Sequence, residues 1–145
     1  MTEKKRLLRA LIALTLLTIW GQSMMSAEAS LDESEAVSTF LGTISTWLDG
    51  FGVDIRKAAH MVEYAVLAAE TALLHGGRPF SKRAFTTLSF CGLAALIDET
   101  VQYIPAGRGP SVTDVWIDLA GALIGAAAMS LLLCVIRRRQ NAGKN

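Results

Sequence analysis

Charged side chains recur in this sequence at spacings that place them on one side of a helix. His60 and Glu63 are three residues apart, so on a helix they lie one turn from each other. Such a pair could donate and accept protons as a general acid and base. Asp98, Glu99 and Gln102 form a second group within a separate apolar stretch. These groups predict a polar site that is assembled from distant parts of the chain.

A third group begins the last apolar stretch. Asp114, Asp118, Gly121 and Gly125 follow one another at intervals of four, three and four residues, which places them on one helix face. The Gly-x-x-x-Gly spacing predicts helix packing, because it lets a neighbouring backbone approach closely. Asp114 could alternatively be the N-cap of the helix, and Asp118 an acid favoured by the helix dipole. His60 could likewise be an ordinary hydrogen-bonded interface histidine.

The elements that would position these residues are long apolar segments. Residues 7–25, 58–74, 84–104 and 113–136 each approach the roughly 20 residues that span a bilayer core as a helix. The chain is 52% hydrophobic and only 19% charged, with a mean hydropathy of +0.39, whereas soluble domains are about 25% charged. We predict an all-α fold, an integral membrane four-helix bundle.

Composition also excludes several classes of protein. A net charge of +1 provides no general basic field, so we expect no nucleic-acid partner. The two cysteines, Cys91 and Cys134, lie in apolar runs, which excludes a disulfide scaffold and a cysteine metal knuckle. The expected surroundings are instead the lipid bilayer.

The distribution of basic residues predicts the orientation. Eleven of the 14 Lys and Arg residues fall on the side shared by both termini, and the positive-inside rule places that side in the cytoplasm. We therefore predict a multi-pass protein with both termini cytoplasmic: a basic tail at 1–6, a membrane domain at 7–136 and a second basic tail at 137–145. The alternative is that residues 7–25 are a signal peptide cleaved near Ala27-Glu28-Ala29.

Residues 26–56 would lie outside the membrane. Val37, Leu41, Ile44 and Leu48 recur at helical spacing in this segment, beside Trp47. This pattern predicts an amphipathic outer helix between the first and second spans, lying at the membrane interface. A short helix packed on the end of the bundle would produce the same pattern.

In this orientation the polar residues share one depth. The outer halves of the last three spans and the loop between the final two contain ten of them: Lys57, His60, Glu63, Tyr64, Asp98, Glu99, Gln102, Arg108, Asp114 and Asp118. Charged residues within spans are costly and normally line a functional site or a wet cavity. Glu70 is the exception, because we expect it toward the cytoplasmic half, near a basic residue of the inner loop.

The ordered pattern of these residues resembles the VanZ family of small bacterial membrane proteins. The resemblance runs from about residue 20 to residue 126. It is carried by Lys57-x-x-His60-x-x-Glu63-Tyr64, then Asp98-Glu99-x-x-Gln102, and finally Arg108-x-x-Ser111-x-x-Asp114-x-x-x-Asp118-x-x-Gly121-x-x-x-Gly125. The resemblance implies a location in the bacterial plasma membrane and a link to resistance against the glycopeptide teicoplanin. It implies no particular reaction.

The first functional hypothesis is an outward-facing site that binds or acts on an envelope lipid or a cell-wall precursor. The candidate catalytic residues are His60, Glu63, Asp98 and Glu99, and the candidate ligand-binding residues are Lys57, Tyr64, Gln102, Arg108, Ser111, Asp114 and Asp118. Lys57 and Arg108 could hold a phosphate. The carboxylates of Asp98, Glu99, Asp114 and Asp118 could hold a divalent cation such as Mg²⁺.

The second hypothesis needs no ligand. In it the charged cluster is a network of ion pairs, such as Arg108 with Asp98, that fixes the register of the helices. A third hypothesis, a small transporter or proton relay, requires polar residues through the whole membrane. The inner halves of the third and fourth spans are almost entirely apolar or small, which disfavours this third hypothesis.

Overall fold

Four helices make up the computed structural model, which describes residues 3–25, 54–105 and 109–142 together with residues 39, 42 and 46. They are α1 (Glu3–Ser23), α2 (Ile55–Leu74), α3 (Phe80–Val101) and α4 (Val112–Ala142). No strand occurs in these described ranges. The prediction of an all-α four-helix bundle is confirmed.

The helix ends differ from the predicted spans by a few residues. α3 begins at Phe80, directly after Pro79, and ends at Val101, because residues 102–105 turn away toward α4. Both terminal helices extend into the predicted basic tails: α1 begins at Glu3, and α4 ends at Ala142. α2 begins after Asp54, whose side chain caps the helix by accepting a hydrogen bond of 2.8 Å from the Arg56 amide. Most of the predicted amphipathic helix at 26–56 lies outside the described residues.

Two helices, α3 and α4, are long and apolar enough to cross a membrane by length and composition. The surface of all four helices has the same character, since large apolar side chains point away from the bundle. Examples are Leu14 and Leu17 of α1, Val62 of α2, Phe85 of α3 and Leu131 of α4, all of them exposed. The core instead consists largely of alanines from α2, α3 and α4. Small residues inside and large apolar residues outside are typical of helices packed in lipid.

The closest helix contact joins α2 and α4. A Cβ atom at Gly121 would overlap the Met61 carbonyl oxygen, and one at Gly125 would overlap the carbonyl oxygen of Ala65. The two backbones therefore touch at both glycines, and only residues without a side chain fit there. His60 and Asp118 of the predicted polar site lie within one turn of this contact, so the glycine pair sets the distance between α2 and α4 near the site.

α1 packs against the rest of the bundle through buried isoleucines and two polar contacts. The Thr15 hydroxyl donates a hydrogen bond to Glu70 Oε2 at 3.1 Å, and the indole N–H of Trp20 donates to the Ala94 carbonyl at 3.4 Å. The expectation that Glu70 pairs with a basic residue of the inner loop was wrong. Glu70 accepts from Thr15 because α1, rather than the inner loop, covers this face of α2.

The glycine contact leads to a prediction about stability. We expect Gly125→Ala to lower the free energy of unfolding by about 2 kcal/mol, because the new methyl group must push α2 and α4 apart. Thermal unfolding of the purified protein in detergent measures this effect. Gly92→Ala is the matched control, since its Cβ would meet Leu119 Cδ2 at 3.5 Å, an ordinary van der Waals distance. Equal stability of the Gly125 variant and the wild type would contradict the described contact.

Candidate functional site

A small polar cavity lies at the end of the bundle where α2 begins, α3 ends and α4 begins. It has a volume of about 20 Å³ and is lined by Arg56, Lys57, His60, Asp98, Glu99, Gln102, Asp114 and Asp118. Three helices contribute to this lining. The structure thus brings together residues from Arg56 to Asp118, which are 62 positions apart in the chain, at the end of the bundle opposite the basic α2–α3 loop.

Three carboxylates form the floor of this cavity. Asp98, Glu99 and Asp118 are only 1%, 5% and 2% exposed, and each offers an oxygen within 4.8 Å of the others. Opposite ligands of a six-coordinate cation lie about 4.2 Å apart around Mg²⁺ and about 5 Å apart around Ca²⁺. The spacing of these oxygens is therefore compatible with one shared divalent cation.

Glu99 also connects the end of α3 to the start of α4. The Ser111 amide, which precedes α4, donates a hydrogen bond to Glu99 Oε2 at 2.5 Å. The Gln102 side-chain amide donates to Glu99 Oε1 at 3.3 Å and to Asp98 Oδ2 at 3.4 Å. These bonds orient two carboxylates of the floor, Asp98 and Glu99.

Asp114 is the third residue of α4 and not its N-cap, so the capping interpretation of Asp114 was wrong.

Lys57 provides a positive charge at the edge of the cavity. Its Nζ atom lies 2.8 Å from Asp114 Oδ1, and both side chains are partly exposed. Lys57 immediately precedes the predicted second span. The hydrogen bond to Asp114 and the negative charge of that carboxylate raise the pKa of the Lys57 amine above its usual 10.5, so Lys57 is a cation at neutral pH. Exposed pairs of this kind contribute at most about 1 kcal/mol to stability.

His60 stands between two carboxylates. Its Nδ1 atom is 4.0 Å from Glu63 Oε2 and 4.0 Å from Asp98 Oδ2. These distances exceed a direct hydrogen bond, but they are short enough for either carboxylate to interact with a protonated imidazole. The imidazole is largely buried and lines the cavity.

The other candidate residues occupy different places. Tyr64 is fully buried one turn further along α2, and its hydroxyl has no hydrogen-bond partner among the described residues. It lies within electrostatic range of Asp98 and Asp118. Glu63 and Ser111 do not line the cavity, but each contacts a residue that does, His60 and Glu99 respectively. Gly121 and Gly125 lie deeper, in the α2–α4 contact, and Arg108 lies outside the described residues.

Sequence reasoning missed one lining residue, Arg56. It precedes Lys57 at the start of α2 and lines the same cavity. A signal was available, because Arg56, Lys57 and Arg108 are the three basic residues on the side opposite the termini. An arginine that departs from the positive-inside pattern next to a candidate site residue is itself a candidate.

Fold and site together define a class, an α-helical membrane protein with buried carboxylates at one end of the bundle. The family comparison is more specific, because a family model described as VanZ/LLP1 matches residues 7–134. The chain belongs to the VanZ/LLP1 family, and the family resemblance in the sequence is confirmed. Neither the curated proteins nor the solved structures contain a significant match to the chain.

Proposed function

We propose that this protein binds a phosphate-bearing envelope lipid, or a lipid-linked cell-wall precursor, at the outer face of the bacterial plasma membrane. A divalent cation held by Asp98, Glu99 and Asp118 makes the central contact. The proposal places both termini in the cytoplasm, because eleven of the 14 Lys and Arg residues then lie inside. The cavity then opens at the level of the outer lipid headgroups.

The observation that carries the proposal is the convergence of three buried carboxylates on one small cavity. Asp118 has neither a hydrogen bond nor an ion pair with any residue in the described ranges, although it is only 2% exposed. Buried carboxylates this close repel one another, and burial makes each charge costly unless a cation balances it. A divalent cation removes both costs at once.

The size of the cavity indicates how a lipid would reach the cation. A volume of about 20 Å³ accommodates a single ion or water molecule, whereas a lipid headgroup is several times larger. The headgroup therefore binds at the mouth, where one of its phosphate oxygens completes the coordination of the cation. Mg²⁺ is commonly bound in this way, by one or two carboxylates together with a substrate phosphate.

Cationic side chains at the mouth complement the phosphate. Lys57 is partly exposed there, and Arg56 lines the same opening. Arg108 lies four residues before α4 in the sequence, and a guanidinium can bind a phosphate through two parallel hydrogen bonds. His60, which lines the cavity, is the candidate for proton exchange with the bound headgroup. Resistance to teicoplanin, which the family resemblance implies, is the phenotype that we assign to this site.

Cation binding can be measured directly. We expect MgCl₂ or CaCl₂ to raise the thermal unfolding midpoint of the purified protein by several degrees, since saturation about a hundredfold above the dissociation constant adds about 2.7 kcal/mol. Asp118→Asn should abolish this shift. Glu70→Gln, which changes a carboxylate outside the cavity, should retain it. Choline chloride at equal ionic strength controls for screening, and an equal shift with choline or in the Asp118 variant would contradict the proposal.

A non-enzymatic role as a register network is the competing interpretation. It is favoured by the hydrogen bond from the Ser111 amide to Glu99, which joins the end of α3 to the start of α4, and by the ion pair between Lys57 and Asp114, which joins α2 to α4. In that case the cluster exists to align α2, α3 and α4. Substitutions would then reduce the amount of folded protein rather than any activity.

Glu99→Gln distinguishes the two interpretations. The glutamine keeps an oxygen that can accept from the Ser111 amide, so we expect stability to change by about 1 kcal/mol or less. The loss of a charged cation ligand should nevertheless abolish the contribution to teicoplanin resistance. Membrane abundance and drug susceptibility are measured in the same cells, with Glu70→Gln as the control. A parallel fall of abundance and resistance would favour the register network.

A further inference from the structure

A second cavity, with a mainly apolar surface, lies at the opposite end of the bundle, between the start of α3 and the end of α4. It has a volume of about 370 Å³, far larger than the carboxylate cavity, and is lined by Phe80, Arg83, Ser130, Leu133, Cys134, Arg137, Arg138 and Asn141. Ligand pockets in proteins commonly have volumes of about 300–1,000 Å³. None of these lining residues is acidic, and three of them are arginines.

Arg83 is the unusual member of this lining. Arg83 is 4% exposed, whereas the neighbouring Lys82 is exposed. The Arg83 guanidinium therefore points into the bundle and not toward water. A guanidinium is always charged, and a charge this deeply buried needs a compensating partner. The position of Arg83 in the first turn of α3 increases the need for a negative partner, because the N-terminal end of a helix dipole is itself positive.

The compensation that the described residues provide is incomplete. One Arg83 nitrogen donates a hydrogen bond of 3.4 Å to the Arg78 carbonyl, and the guanidinium lies 5.7 Å from the centre of the Phe80 ring. The Nε atom has no hydrogen-bond partner within the described ranges, and Arg83 forms no ion pair there. The buried positive charge of Arg83 thus contacts the Arg78 carbonyl and the Phe80 ring. Within the part of the chain that the structure describes, it has no carboxylate partner.

The rest of the lining supplies further donors for an anion. Arg137 is anchored by a hydrogen bond to the Gly76 carbonyl of the α2–α3 loop. Arg138 is exposed and makes no hydrogen bond or ion pair with the described residues. Ser130 and Asn141 add uncharged polar groups, while Leu133 and Phe80 provide apolar walls.

We propose that this cavity binds the phosphate group of an anionic phospholipid from the inner leaflet. Arginine binds phosphate through charge-assisted hydrogen bonds, and basic pockets between helices on the cytoplasmic side are a known form of lipid-headgroup site. The apolar walls would contact the first part of the acyl chains, and Ser130 and Asn141 can bond to headgroup hydroxyls. This site is separate from the carboxylate cavity, and it requires no cation.

The test uses the purified full-length protein in detergent and native mass spectrometry. Phosphatidylglycerol, which is anionic, is compared with phosphatidylcholine of identical acyl chains, which carries the same phosphodiester but no net charge. We expect one retained phosphatidylglycerol molecule and little retained phosphatidylcholine. Arg83→Gln and Arg138→Gln should each lower the affinity for phosphatidylglycerol about tenfold, the contribution of one hydrogen bond to a charged group.

Arg139→Gln is the matched control, because Arg139 is also exposed and adjacent but does not line the cavity. It should bind phosphatidylglycerol like the wild type. If Arg83→Gln does not fold, the comparison of Arg138→Gln with Arg139→Gln tests whether the arginines of the cavity bind phosphatidylglycerol. Equal retention of both lipids, or equal losses in both of these variants, would overturn the proposal. If millimolar inorganic phosphate displaces the lipid, the natural ligand of the cavity is free phosphate and not a lipid headgroup, which would contradict the proposal.

Discussion

The direct contact between the backbones of α2 and α4 is the constraint on which the rest of the structure depends. Gly121 and Gly125 have no side chains, and the carbonyl oxygens of Met61 and Ala65 occupy the space that a Cβ would need. Hydrophobic exclusion of water does not hold helices together inside lipid, so close packing must supply much of the association. The two glycines therefore fix both the distance and the register of these helices.

That register determines which polar groups meet. α2 presents His60 directly before Met61, α4 presents Asp118 one turn before Gly121, and α3 contributes the adjacent carboxylates Asp98 and Glu99. A site assembled from three helices is sensitive to a shift of any one of them. The bonds from Ser111 and Gln102 to Glu99 restrain that movement at the point where α3 ends and α4 begins.

The two ends of the bundle have opposite electrostatic character. Carboxylates form the floor of the small cavity, and arginines line the large one without any acid among the described lining residues. A net charge of +1 conceals this separation. Both ends bury charged side chains, and our two proposals place an ion of opposite sign at each: a divalent cation among the carboxylates and a lipid phosphate among the arginines.

Most of the helices and the grouping of Asp98, Glu99 and Asp118 could be predicted from the sequence, because apolar length and helical spacing depend on local pattern alone. The partner of Glu70 could not be predicted, since it depends on which helix packs against α2. The burial of the Arg83 side chain could not be predicted from the sequence either. A basic residue in an inner loop normally indicates topology and is expected in water, and only the packing of α3 against α4 reveals that this arginine is buried.

The outward position of the carboxylate cavity is the central claim, and labelling of cysteines in intact cells tests it most directly. Gly109 is exposed in the loop before α4, so Gly109→Cys in a Cys134→Ser background places one accessible thiol beside the cavity, while Cys91 stays buried. Gln140→Cys in the same background instead places an exposed thiol beyond the predicted fourth span, near the other end of the bundle. The account predicts that a membrane-impermeant maleimide labels the thiol at residue 109 from outside, and labels the thiol at residue 140 only after the cells are permeabilised. Labelling at residue 140 from outside, with the thiol at residue 109 protected until permeabilisation, would contradict it.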